Sequence, residues 1–131
     1  MQQHDLALEL LAMARRDEYA ASVLLADASV DDAIIGFHWQ QTAEKLLKAL
    51  LAERSVDFPR THDLVLLMRL VRNEGYQLPE SFANLGALNP FAATLRYDMS
   101  QGAGTLDREH TQSLVEQLRS WVEAQLHARD T

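Results

Sequence analysis

The chain has 131 residues, 47% of them hydrophobic and 24% charged, with a formal net charge of −7 and no cysteine. That length suits one domain, expected over residues 1–131, with a real core. The absence of cysteine excludes disulfides, thiol catalysis and thiolate metal sites. The acidic balance argues against a broad basic groove for nucleic acid, though not against a local phosphate site.

Helical periodicity dominates, and no alternating strand pattern stands out. The first helix is expected over about residues 5–28. Leu6, Leu10, Met13, Ala20 and Leu24 form its buried stripe, widened by Leu11, Ala14, Ala21 and Leu25. Asp17 falls inside that first series, as a surface residue or a polar group aimed into a shared site. Asp31 or Asp32 can N-cap a second helix that runs to about Arg54. The run Ser55 to Arg60 breaks it, and Thr61 caps a third helix to about Glu74. Gly75 is the stop, because glycine accepts a left-handed conformation. Leu78-Pro79-Glu80 restarts the chain in a fourth helix, interrupted at Asn89-Pro90 and resumed with Asn89 as cap to about Met99. Gly102-Ala103-Gly104 makes a turn. Thr105 caps a last helix to about Ala128, which buries Leu106, Leu114, Leu118, Trp121, Val122 and Leu126. The fold expected is all-α, an up-and-down antiparallel bundle of four to five helices.

The second helix carries a polar stripe of Gln40, Gln41, Glu44, Lys45 and Lys48 beside an apolar face. Gln41, Glu44, Lys45 and Lys48 share a side because they stand three or four positions apart. They are either a solvated ion-pair surface or a polar wall for a phosphate or base. His62 and Asp63 open the third helix, where negative charge is favoured. His62 is a hydrogen bonder at the core edge or a member of the same groove. Arg96-Tyr97-Asp98 offers a guanidinium fork for phosphate and a ring to stack, or is ordinary helix-end polarity. His4 and His127 lie near the termini, and His38 reads as a satisfied core histidine. Trp39 and Trp121 are core or dimer-interface residues. Zinc spacing, phosphate-binding glycine loops and Ser or Cys nucleophile motifs are missing, so neither metal nor cofactor is assigned. The longest apolar runs fall short of the ~20 residues of a membrane helix. The first residues lack a basic region followed by an apolar one, so no signal peptide is expected. A soluble cytoplasmic protein without a membrane is the expectation.

Four pieces in order resemble the HEPN family. They are Ala14-Arg15-Arg16-Asp17 with Ala21, the run Gln41 to Leu51, Thr61-His62-Asp63-Leu64 and Arg96-Tyr97-Asp98. The resemblance implies a helical bundle that often dimerises, tied to nucleotide binding, minimal nucleotidyltransferases and RNA cleavage. Ribonuclease members place a His about four to six residues after an Arg, with both subunits flanking the scissile phosphate. This chain departs from that spacing, because the next histidine after Arg96 is His110. The expectation is therefore a non-catalytic HEPN homodimer that partners a minimal nucleotidyltransferase in a toxin–antitoxin-like system. Its nucleotide or RNA site would be built from Gln41, Lys45, Lys48, His62, Arg96 and Tyr97. One alternative is a metal-independent ribonuclease toxin using a displaced Arg96/His110 pair. Another is a purely structural dimeric adaptor.

Overall fold

The computed structural model describes residues 2–94 and 106–128. Among these the chain is all-helical: α1 (Gln2–Leu25), α2 (Asp32–Glu53), α3 (Leu64–Asn73), a 3₁₀ segment (Glu80–Leu88), a single turn α4 (Phe91–Thr94) and α5 (Arg108–His127). The bundle is centred on α2, which packs against every other helix. That position explains its composition. Ile35, Trp39, Ala43, Leu46, Leu47, Leu50 and Leu51 are each essentially inaccessible to water. Facing them are Leu64, Leu67 and Val71 of α3 and Val115, Leu118, Val122 and Leu126 of α5. Val115 joins this core although it was not expected there, while Trp121 is half-buried, edge-on to Tyr76 and Phe82.

The α1 stripe divides in an unexpected way. The widening series carries the packing: Ala7, Leu11, Ala14 and Ala21 are buried. Leu6 and Met13 stay 43% and 42% exposed, and Leu10, Ala20 and Leu24 are half-buried. Both series have helical spacing, so periodicity alone does not choose between adjacent faces.

The helix ends also correct the sequence reading. Asp31 occupies the N-cap of α2 but makes no side-chain cap bond. The Asp32 carboxylate instead accepts from Leu106 N and from Arg108 Nε at 2.7 Å, tying the starts of α2 and α5 together. Asp63, not Thr61, caps α3, accepting from Val65 N and Leu66 N. Thr61 sits two positions earlier and accepts from Asp63 N. Asn89 does not cap a resumed helix. Its side chain reaches back to α3, accepting from Leu64 N and donating to Asp63 Oδ1. Pro79 leads into 3₁₀ rather than α-helix, and the part of the expected fourth helix beyond Thr94 lies outside the described residues. Asp107, not Thr105, caps α5 through His110 N. Gly75 behaves as expected, with φ +94° just past the end of α3. After α2, Ser55 takes φ +59°, and Val56 N closes onto Leu51 O.

Candidate functional site

Glu44 is the centre of the polar stripe. It is only 5% exposed, because α2 is covered where this residue emerges. A buried carboxylate needs compensation from hydrogen-bond donors and positive charge. Gln40 Nε2 donates to Oε1 at 3.1 Å, Lys48 Nζ to Oε2 at 2.9 Å, and His62 Nδ1 lies 2.7 Å from Oε1. Gln40 also donates to His62 O at 2.9 Å, and Gln41 Nε2 donates to Gln40 Oε1 at 2.7 Å. Burial alone would raise the pKa of Glu44. The bonds from His62, Lys48 and Gln40 outweigh that, and its carboxyl is held below the usual 4.5. The stripe is thus not a solvated ion pair. Its central pair is shielded, with Lys48 only 13% exposed at its side chain.

A second cluster adjoins the first. Asp17 of α1 accepts from Lys45 Nζ at 2.5 Å and lies 3.1 Å from His38 Nδ1. Lys45 and Lys48 therefore lean on two different carboxylates, one from each side of the α2 face. In both clusters a carboxylate engages His Nδ1, which turns Nε2 away from the carboxylate. His38 is half-buried and bonded to α1, rather than a core histidine.

Lys48 Nζ also stands 5.5 Å from the centre of the Phe58 ring. That ring lines a cleft of about 360 Å³ with Gln3, Leu6, Ala52 and Val56. The structure thus brings Gln41, Lys48 and His62 together through Gln40 and Glu44, and places Lys45 beside them on Asp17. Arg96 and Tyr97 lie outside the described residues. His110 is exposed in the first turn of α5. Sequence reasoning missed the pairing of His38 with Asp17, although Asp17 interrupting an apolar series was a usable signal. It also missed His4, whose Nδ1 lies 2.7 Å from the buried Glu53. Among the described residues no group of three metal-ligating side chains gathers, and no helix is long and apolar enough to cross a membrane.

The described residues thus form an all-helical bundle whose central helix presents a braced polar wall. The HEPN domain family matches residues 7–125, and the chain belongs to that family. No curated protein and no solved structure gives a significant match.

Proposed function

From membership in the HEPN family we infer that the chain is a nucleotide-binding or ribonuclease-like module. We propose that this chain is the binding kind: a non-catalytic HEPN homodimer that partners a minimal nucleotidyltransferase, within a toxin–antitoxin-like pair. The observation that carries the binding site is the pair of braced ammonium groups. A lysine held by one carboxylate still has N–H donors for a phosphate oxygen, and its position is fixed before the ligand arrives. Lys45 and Lys48 supply that charge, Gln41 and His62 line the wall, and Phe58 with Val56 offers an apolar floor for a base. Arg96 is assigned to the phosphate and Tyr97 to stacking. The nucleotidyltransferase partner rests on the family resemblance.

The test is titration of purified protein with nucleotides, followed by calorimetry, beside a folded Lys48→Ala, Arg96→Ala double variant. Loss of binding in the variant supports the site; wild-type-like binding of nucleotide and partner overturns it. Mixed RNA incubated in chelator addresses catalysis separately. Cleavage lost on both Arg96→Ala and His110→Ala would make the protein a ribonuclease with a displaced pair.

A further inference from the structure

Arg54 closes the end of α2 and is anchored on two sides. Its guanidinium carbon lies 4.2 Å from the centre of the Tyr76 ring, and its Nη1 donates to Glu74 O at 2.5 Å. That ring belongs to the core: Tyr76 is 7% exposed, and its hydroxyl donates to Leu50 O at 3.2 Å. The anchoring supplies no counter-charge. Arg15, Arg108 and Arg119 each lean on a carboxylate, whereas Arg54 pairs with none among the described residues. One edge of its fork is taken by a neutral carbonyl, and the edge formed by Nε and Nη2 has no acceptor among the described residues. Such an edge matches a carboxylate through two parallel N–H bonds.

Beside the guanidinium lies a recess of about 350 Å³, at the small end of ligand sites. Trp121 and Gln125 line it from α5, one turn apart, and Gly75 and Gln77 line it from the turn after α3. The Trp121 indole is set between two rings, 6.3 Å from Tyr76 and 6.2 Å from Phe82. Gln125 is half-buried, yet its carboxamide makes no hydrogen bond among the described residues. Carboxamides taken partly out of water are ordinarily bonded, so this one is placed to receive a ligand. Gly75 keeps the space open, since a Cβ there would stand 3.8 Å from Arg54 Nη1.

The donors and acceptors select the ligand. Arg54 calls for a carboxylate. Gln77 and Gln125 each carry a donor and an acceptor, the complement of a backbone amide. Trp121 offers a ring to an apolar side chain. A carboxylate beside an amide and a side chain is the end of a polypeptide. A second recess of about 490 Å³, lined by Phe82, Ser113 and Gln117, adjoins the first at Trp121 and gives the preceding residues room. We propose that the Arg54 recess binds the C-terminus of a partner polypeptide, with its carboxylate on Arg54, its last amide on Gln77 and Gln125, and its last side chain on Trp121. The site shares no residue with the wall of Lys45 and Lys48, so it stands or falls apart from nucleotide binding.

The test follows the indole N–H signals of the two tryptophans by NMR in the whole chain. Acetyl-alanyl-seryl-alanyl-leucine is compared with its C-terminal amide and with N-acetylleucine, each to about 5 mM, above the millimolar affinity expected of so small a site. The Trp121 signal should move with the tetrapeptide acid, while that of Trp39, 1% exposed in the core, stays in place. The amide should bind at least about tenfold more weakly, because it leaves the guanidinium edge without its charged acceptor. N-acetylleucine should bind more weakly than the tetrapeptide, because it does not reach the second recess. Arg54→Gln should lose binding with unchanged circular dichroism, and Arg54→Lys, a point charge without the fork, should restore only part of it. A Trp121 signal that the acid does not move, an amide that binds as well as the acid, an Arg54→Gln variant that binds like wild type, or N-acetylleucine that matches the tetrapeptide overturns the proposal.

Discussion

Replacing Glu44 by alanine leaves Lys48 and His62 without their shared acceptor and Gln40 without one of its two. Each hydrogen bond to a charged group contributes about 1.5–3 kcal/mol, and stranding one partner of a buried pair costs up to about 3–5 kcal/mol. Lys48 bears most of that loss, because its side chain is 13% exposed. His62 bears little, because at 44% exposure it recovers water. The expected loss is therefore about 3 kcal/mol. With a urea slope near ~1.5 kcal/mol per M, the midpoint falls by ~2 M at unchanged slope. Glu44→Gln keeps the shape and one acceptor, and should lose about 1–2 kcal/mol. The pH dependence follows from the depressed pKa. The folded state holds Glu44 ionised below 4.5, so its contribution is complete above that pH and fades as pH falls through the folded value. The stability gap between wild type and Glu44→Gln should accordingly narrow below pH 4.5. A Glu44→Ala midpoint corresponding to less than ~0.5 kcal/mol of loss would refute the braced-wall account, since Lys48 would then need no counter-charge.

Three further outcomes can be measured by the same denaturation assay. Gly36→Ala puts a Cβ 2.5–2.8 Å from the Phe91 ring; the overpacking should exceed the ~1 kcal/mol gained in helix propensity, for a net loss of about 1–2 kcal/mol, and a gain in stability would contradict the α2–α4 packing. Ser55→Gly relieves a left-handed residue at the end of α2 and should stabilise by ~0.5–1 kcal/mol, with no change in circular dichroism. Glu18 and Glu123 share Arg119 but are tuned in opposite directions. Burial pushes Glu18 above 4.5 despite Arg119. In Glu123 the desolvation is outweighed by the bonds from Arg15 and Arg119. Raising the pH through and above 4.5 therefore works against the fold at Glu18 and in its favour at Glu123. At pH 7 Glu18→Gln should cost less than Glu123→Gln, whose loss stays within ~1 kcal/mol because the network is partly exposed; the reverse order would contradict these assignments.

The helical class, the approximate span of α1, α2, α3 and α5, and the stop at Gly75 are legible in the amino-acid order alone. Those features are local: periodicity, proline and a left-handed glycine act within a few residues. The same order shows the stripe of α2, because Gln40, Gln41, Glu44, Lys45 and Lys48 interrupt an otherwise apolar helix. Tertiary structure alone decided what that stripe is. Whether Glu44 is solvated or buried depends on His62, 18 positions away, and on the helices covering α2. Lys45 is drawn to Asp17, 28 positions earlier. The caps went wrong for a related reason. Asp32 and Asn89 stand where they could serve their own helices, yet their side chains bond N–H groups far along the chain. Short polar side chains bond whatever the packing brings near, and one helix's periodicity does not reveal its neighbours. The two faces of α1 make the same point: both were legible as apolar, and only the packing on α2 selected Leu11 and Ala14 for the core and left Leu6 and Met13 outside.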